Sequence, residues 1–298
     1  MNSKNPGLIL ALASPLAFTA FNIGVRLITA DTLSIWGLLF LRGCIGVTLV
    51  YMAARALKKN LWGRNRGLLM LIGLSGFLST ACTTTAITLI PLFQAMVILY
   101  LYPSWAILLS ALINRESIQA RDALGVALAL FGCILLIWPD ESAGLSFQIG
   151  HLIGLLGSFL YGLGFVFARR LGDDNSGLEP IFHYSLFAAV GAIPLSLVFG
   201  ADLGISSVSG IGAGLALGAL GSLGQMMGYA ALRWLPAFKV GVLGTLEVLG
   251  GVLGSWLVFN DPITARAIFG GAVIICVAFG IRQKPPKPAA VTGEAALD

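Results

Sequence analysis

Long apolar runs, separated by short segments rich in charged or turn residues, dominate this chain of 298 residues. Each run is about twenty residues long, the length that a helix needs to cross the hydrocarbon core of a bilayer. The pattern therefore predicts an all-α integral membrane protein with ten transmembrane helices. They are expected at residues 7–29, 33–54, 68–88, 93–113, 122–138, 149–169, 180–200, 210–232, 238–259 and 264–282, and residues 283–298 are expected to form a disordered cytoplasmic tail.

The composition supports the same class of protein. Hydrophobic residues make up 57% of the chain and charged residues only 10%, whereas a soluble domain carries about 25% charged residues. The four cysteines lie in apolar runs without C-x-x-C spacing, so neither a disulfide framework nor a metal site is indicated, and no cofactor is expected. The net charge of +5 does not indicate a nucleic-acid partner, because the basic residues flank the predicted spans.

The basic residues also predict the orientation of the chain. Loops rich in Lys and Arg stay in the cytoplasm. When both termini are placed there, the outer side has only two basic residues, Arg26 and Arg266, and Arg42 lies within the second span. We therefore expect a protein of the cell inner (plasma) membrane with cytoplasmic N- and C-termini, embedded in the lipid bilayer.

An internal repeat joins the two halves of the chain. Residues 73–127 align without a gap on residues 218–272 when they are shifted by 145 positions. Aligned identities include Pro91 with Pro236, Phe93 with Phe238, Arg121 with Arg266, and Gly125 with Gly270. The repeat predicts two five-helix units, 7–138 and 149–282, and an odd number of spans in each gives them opposite orientations. Secondary transporters often have this design, with the substrate site where the halves meet.

Two charged residues lie clearly inside predicted spans, away from the span ends, where a charge is costly and indicates function. Glu247 lies near the middle of the ninth span. It is a candidate for a proton-coupling carboxylate or for a counter-charge to a substrate amine, and the structural alternative is a hydrogen bond to another helix. Arg42 is a candidate partner for a substrate carboxylate or an inner acidic group, or its side chain extends toward the outer surface.

Polar and aromatic residues at helical spacing predict the lining of a substrate cavity. A tyrosine presents a flat apolar ring and one hydroxyl group, which suits an amphipathic ligand. Intramembrane Thr side chains, by contrast, often bond to their own helix. The candidate substrate-binding residues are Asn22, Thr80, Thr84, Tyr100, Tyr102, Tyr161, Phe165, Gln225 and Tyr229.

Two prolines inside predicted spans are candidate hinges, Pro15 and Pro103. A proline removes one helical hydrogen bond and clashes with the carbonyl four residues before it. Pro103 would free the carbonyl of Leu99 in the fourth span, and such a group must face a protein partner or a wet cavity. The alternative is a plain kink accommodated by neighbouring helices.

Motifs for chemistry are missing from the sequence. A phosphate-binding loop of the G-x-x-x-x-G-K-[ST] type is absent, so any transport would be driven by gradients. An intramembrane enzyme would need a convergent acid–base or metal site at one membrane face, and no cluster of His, Cys and carboxylate residues suggests one. We therefore predict that the protein is not an enzyme, with an intramembrane enzyme as a remote alternative.

Two stretches of the chain resemble a known repeat. YPSWAILLSALINRESIQARDALGVALALFG (102–132) is similar to the end of an EamA repeat of the drug/metabolite transporter superfamily, and LEVLGGVLGSWLVFNDPITARAIFGGAVI (246–274) repeats the pattern. In the second stretch Val248 replaces the usual Pro and Asp261 replaces the usual Glu. Arg42, within LLFLRGCIGV, matches the basic residue typical of the second span. The resemblance implies ten spans in two inverted five-helix repeats.

The same resemblance extends to a substrate class. The segment at 93–114 looks most like the aromatic amino-acid exporter branch, and Tyr100 and Tyr161 fall where that branch has cavity aromatics. The resemblance thus implies a secondary exporter of small amphipathic metabolites, including aromatic amino acids, that works by alternating access. Efflux of drugs or of other metabolites is the alternative. A monomer is expected, because both repeats are in one chain.

Overall fold

The apolar runs fold as helices. The computed structural model describes residues 6–29, 32–114, 120–139, 146–171, 177–205, 207–235 and 237–280, and within these ranges there is no strand. The helices of the described residues are α1 (Pro6–Ile28), α2 (Ile35–Ala56), α3 (Arg66–Leu89), α4 (Leu92–Leu99), α5 (Tyr102–Asn114), α6 (Ala120–Ile137), α7 (Ile149–Leu171), α8 (Leu178–Val198), α9 (Val208–Ala231), α10 (Ala237–Gly244), α11 (Leu246–Leu257) and α12 (Ala265–Gly280). The predicted tail at 283–298 lies outside the described residues.

The length and composition of the helices confirm an all-helical membrane protein. Among the described residues, eight helical segments are long and apolar enough to cross a bilayer, and α4 together with α5 counts as one of them. Two shorter apolar helices, Leu246–Leu257 and Ala265–Val277, follow near the C-terminal end. The figure of ten spans stays a prediction.

Polar residues set the starts of three long helices. Ser34, Asn65 and Ser207 precede α2, α3 and α9, and each side chain accepts a hydrogen bond from a backbone N–H three residues later. The first N–H groups of a helix have no intrahelical partner, and a side-chain oxygen at this position satisfies one of them.

The fourth predicted span, 93–113, is not one continuous helix. It is interrupted at Tyr100 and Leu101, between α4 and α5. Pro103 therefore lies in the first turn of α5. The hinge interpretation assumed that it lies in a helix interior, which is wrong. A proline fits in the first turn because the missing N–H would have no intrahelical partner. The other predicted hinge, Pro15, does lie inside a continuous helix, α1, where it is buried.

The ninth predicted span, 238–259, is also interrupted, at Thr245, although no proline lies there. As a result Glu247 occupies the first turn of α11 and not the middle of a long helix. The interruptions at Tyr100 and Thr245 are separated by the same 145 residues that align the two halves of the sequence. They are also in contact, because the Tyr100 hydroxyl donates a hydrogen bond to the Gly244 carbonyl (2.7 Å).

Helices from the two halves of the sequence pack against one another. The most extensive pairs are α3 with α7, α2 with α8, α1 with α9, and α6 with α12. The two interrupted segments meet where α4 contacts α11, and α1 also packs along α11. The largest buried cluster includes Phe21, Met96 and Val248, which belong to these three inner helices.

Two glycines allow the closest approaches between these helices. A Cβ atom at Gly43 of α2 would lie 2.7 Å from the Cα of Ala189 in α8. One at Gly132 of α6 would lie 2.7 Å from the carbonyl oxygen of Gly270 in α12. Small residues that bring helix backbones together are typical of membrane interfaces, and no larger side chain fits at either position.

Candidate functional site

The acidic part of the candidate site is Glu247, in the first turn of α11. The Asn22 side chain of α1 donates a hydrogen bond to its carboxylate (2.9 Å) and another to the Met96 sulfur (3.1 Å). The Thr19 hydroxyl donates to the Glu247 backbone carbonyl (3.5 Å). Helix α1 therefore holds the acidic residue at the interruption between α10 and α11.

Next to Glu247 lies a group of four aromatic rings, Tyr100, Tyr102, Tyr161 and Phe165, here called the aromatic cluster. The Tyr102 ring is at its centre, with ring centroids 4.8 Å from Tyr161, 5.5 Å from Phe165 and 6.1 Å from Tyr100. Tyr161 leaves 42% of its surface accessible. The structure thus brings together an acid, an amide and four predicted aromatic residues at the interrupted helices.

The basic part of the candidate site is Arg42, which is only 4% exposed. Its guanidinium lies 4.3 Å from the ring centroid of Phe21 and 5.4 Å from that of Tyr184. A cation over an aromatic face is stabilised by the electrons of the ring. The side chain therefore points into the helix bundle, and the alternative of an extension to the outer surface is wrong.

The two charged residues lie on neighbouring sides of α1. Phe21 faces Arg42, and the next residue, Asn22, faces Glu247. Successive residues of a helix point about 100° apart. Arg42 and Glu247 are near enough to interact electrostatically. A small ligand between them would meet a positive and a negative group within one apolar surrounding.

Three other predicted lining residues make less direct contact with the site, although Tyr229 is near enough to Tyr161 to interact electrostatically. The Thr80 hydroxyl donates to the Gly76 carbonyl of its own helix (3.0 Å), and Thr84 is buried in the same helix, α3. Tyr229 lies beside Gly177, at the start of α8. Among the described residues, no hydrogen bond or ring contact joins these three side chains to Glu247 or to the aromatic cluster.

The remaining candidate, Gln225, lies on the side of Arg42. It is four residues after Gly221 on α9, and a Cβ atom at Gly221 would lie 3.1 Å from the Arg42 Cζ. Its side-chain oxygen is buried and has no hydrogen-bond partner in the described part of the chain. Residues four apart share a helix face, so Gln225 faces the same helix junction as the guanidinium.

One ion pair was not anticipated from the sequence. Arg26 and Asp261 form a two-pronged ion pair (2.5 and 3.0 Å) at the end of α1. The Ser255 hydroxyl donates to the Asp261 carboxylate (2.6 Å), and so does the Leu92 N–H (3.4 Å). These four residues, here called the terminal network, join the ends of α1, α4 and α11. The sequence signal was the pair of opposite charges near the predicted outer ends of the first and ninth spans.

The structure offers no obvious place for a bound metal. Throughout the described ranges, no three His, Cys, Asp or Glu side chains come together.

Opposite charges and an aromatic cluster, enclosed by helices of membrane-spanning length, define a polytopic membrane transporter. The chain belongs to the EamA-like transporter family, whose family model matches residues 5–138 and 148–283. This confirms the family resemblance that the two sequence stretches suggested.

Individual relatives cover nearly the whole chain. The pseudopaline exporter of Pseudomonas aeruginosa strain UCBPP-PA14 is 26% identical over 93% of this chain and 97% of its own length. An uncharacterized transporter of Archaeoglobus fulgidus is 26% identical over 85% of this chain and 88% of its own. One solved crystal structure, 18% identical, matches 93% of this chain and 96% of its own with a TM-score of 0.61, which is a likeness of fold. Membership of the aromatic amino-acid exporter branch stays a prediction.

Proposed function

We propose that this protein is a secondary transporter that exports small amphipathic metabolites, amino acids including aromatic ones, across the cell inner membrane by alternating access. Its family and its similarity to a named exporter support export of a small metabolite. The aromatic cluster, the buried Arg42 and the partly buried Glu247 support the choice of amino acids.

The observation that carries this proposal is the position of Glu247 beside the aromatic cluster. A carboxylate held by Asn22 at 2.9 Å presents a negative charge to a substrate amine. The Tyr102 ring, 4.8 Å from the Tyr161 ring, presents apolar surface to a side chain. Aromatic faces bind both apolar groups and cations, so an amine that carries an aromatic group fits both features.

Glu247 is also our candidate for coupling transport to a gradient. A carboxylate inside a membrane is less costly when it binds a proton or a cation. If the substrate amine and a proton compete for this one carboxylate, the binding of one releases the other. An exporter of this kind would use the proton gradient across the inner membrane.

For the topology we propose ten spans in two inverted five-helix units, 7–138 and 149–282, with both termini in the cytoplasm. Two observations support two related units. The family model matches the chain twice, and the interruptions at Tyr100 and Thr245 are separated by the same 145 residues as the sequence repeat. We also propose that a monomer is the transporting unit, because one chain contains both.

A second candidate is export of another metabolite, either pseudopaline or a related compound. The similarity to the pseudopaline exporter over 93% of the chain favours it. This candidate uses the same charges and rings but predicts poor transport of single amino acids.

The first experiment is uptake of labelled tryptophan and a panel of other amino acids into liposomes that contain the purified protein, with and without a pH gradient. We expect saturable uptake that Tyr161→Ala reduces about tenfold, the loss of one well-placed aromatic contact of about 1.4 kcal/mol. Tyr51→Ala is the matched control, since Tyr51 is exposed on α2 outside the candidate site.

Two results would decide against the amino-acid proposal. If folded, correctly oriented protein transports no amino acid, the result would favour efflux of drugs or of another metabolite. Equal uptake by the Tyr161 and Tyr51 variants would remove the aromatic cluster from the substrate site.

A further inference from the structure

Several buried polar atoms around Arg42 have no hydrogen-bond partner. Within the described residues, and besides the Gln225 oxygen on the same side, they are the Arg42 Nε, the Tyr184 hydroxyl, and the hydroxyls of Ser185 and Ser222. All four side chains are at most 5% exposed. We call these four residues the arginine cluster.

The members of the arginine cluster converge from three helices. On α2, Gly46 is one turn after Arg42, and a Cβ atom there would lie 2.5 Å from the Ser185 hydroxyl and 3.1 Å from that of Ser222. On α9, Ser222 follows Gly221, the residue against the guanidinium. On α8, Ser185 follows Tyr184, whose ring lies 5.4 Å from the Arg42 Cζ. The unpartnered atoms therefore surround one small region.

The two serines differ from several other buried serines among the described residues, although Ser110, away from Arg42 in the sequence, is also unpartnered. Ser158 and Ser196 donate to carbonyls three residues before them in their own helices (2.8 and 2.7 Å), as hydroxyls in membrane helices commonly do. Ser185 and Ser222 make no such bond. A buried polar group without a partner destabilises the fold, so several together at one place indicate a missing partner.

Arg42 also differs from Arg26, another arginine that lies over an aromatic ring among the described residues. Arg26 has a carboxylate partner in Asp261. Arg42 has aromatic faces around it but no carboxylate within hydrogen-bonding distance among the described residues. A guanidinium with adjacent hydroxyl donors is suited to the two oxygens of a carboxylate.

We propose that the arginine cluster binds a carboxylate of the transported molecule. This inference rests on the proposed function and extends it: the substrate is a zwitterion, with its amine at Glu247, its apolar group at the aromatic cluster and its carboxylate at Arg42. The substrate carboxylate then completes the hydrogen bonding of Arg42, Ser185 and Ser222.

The test is the binding of three related probes to the purified protein, measured as ligand-dependent shifts in thermal unfolding. The probes are phenylalanine, 3-phenylpropionate, which lacks the amine, and phenethylamine, which lacks the carboxylate. In Arg42→Met we expect the affinity for phenylalanine and 3-phenylpropionate to fall about 10- to 100-fold, as for the loss of a charged hydrogen bond. The affinity for phenethylamine should stay unchanged. Arg66→Met, at an exposed arginine, is the matched control.

The paired variant Ser185→Ala/Ser222→Ala decides the matter if Arg42→Met does not fold. It keeps the charge, and we expect the loss of two hydrogen bonds to weaken both carboxylate probes about 10- to 30-fold, with phenethylamine again unaffected. Equal weakening of all three probes, or none, would overturn the proposal and assign the cluster to bound water.

The binding measurement separates this inference from the proposed function. Binding of 3-phenylpropionate that depends on Arg42, without amino-acid transport in liposomes, would support the arginine cluster and reject the amino-acid exporter. Transport of phenylalanine by wild type and Arg42→Met alike would keep the exporter and reject the cluster.

Discussion

At the scale of single residues, the organising contact is the hydrogen bond from Asn22 to Glu247 (2.9 Å). An amide donor holds a carboxylate in place without neutralising it, so the charge stays available to a ligand. The same Asn22 nitrogen also donates to the Met96 sulfur (3.1 Å), and this second contact fixes the orientation of the amide. The acid is thereby held by helices α1 and α4.

We predict that Glu247→Gln abolishes the dependence of uptake on a pH gradient and lowers uptake of amine-bearing substrates at least about tenfold. The new amide keeps an oxygen to accept from Asn22, so the fold should persist, but the charge that attracts an amine or a proton is lost. The measurement is liposome uptake at several imposed gradients. Asp202→Asn, at an exposed loop residue, is the control, and gradient-dependent uptake by Glu247→Gln would contradict the coupling role.

At the scale of helices, the terminal network connects elements that are distant in sequence. Arg26 at the end of α1 pairs with Asp261, just after α11. Ser255 of α11 accepts a hydrogen bond from the Phe93 N–H of α4 (3.0 Å) while it donates to Asp261. Three helix ends are therefore fixed by side chains that are largely removed from solvent.

We predict that Asp261→Ala lowers the free energy of unfolding by about 3 kcal/mol, because it leaves the Arg26 charge and the Ser255 hydroxyl without their partner. The thermal unfolding midpoint of the purified protein should fall by several degrees. The midpoint of Asp261→Asn, which keeps an acceptor for Ser255, should fall less. Asp202→Asn, which keeps the acceptor for the Gly204 N–H, should not change the midpoint. A midpoint unaffected by Asp261→Ala would show that the network contributes little to stability.

At the scale of the whole molecule, the pairing of helices across the two halves determines which glycines can be replaced by a larger residue. The crossings at Gly43 and Gly132 leave no space for a side chain. By contrast, Gly212 of α9 has no atom near the position of a Cβ. A larger residue at Gly43 would separate α2 from α8 and disturb Arg42, its neighbour in sequence.

The proposed orientation predicts which loops react with a membrane-impermeant thiol reagent in intact cells. We expect Asp202→Cys to be labelled directly, and Lys59→Cys only after the membrane is permeabilised, since basic loops stay in the cytoplasm. Both positions are exposed. The native cysteines, Cys44, Cys82, Cys133 and Cys276, are replaced first. The reverse labelling pattern would invert the proposed topology.

Much of this fold follows from the sequence because its causes are local. The apolar runs predict the long helices, and Pro103 marks the neighbourhood of the first interruption. The second interruption, at Thr245, has no such mark, because a helix can end at a residue whose neighbours supply the missing hydrogen bonds. Here that neighbour is Tyr100, which is distant in sequence.

The candidate site was predictable only in part, for a related reason. Glu247, Asn22 and the aromatic cluster are unusual residue types within apolar runs, so the sequence singles them out. Tyr184, Ser185 and Ser222 are unremarkable until α8 and α9 are placed beside α2. Thr80 has the expected residue type but bonds to its own helix. Periodicity identifies the face of a helix and not the helix that it meets.

The hydrogen bond from Tyr100 to the Gly244 carbonyl makes the two helix interruptions thermodynamically linked. Tyr100 belongs to the aromatic cluster, and Gly244 lies three residues before Glu247. An occupant that displaces the tyrosine hydroxyl leaves that carbonyl without its donor and changes the conformational free energy of the other half. The coupling is reciprocal: a change at the second interruption that breaks this hydrogen bond alters the affinity of the first interruption for its occupant by the same free energy.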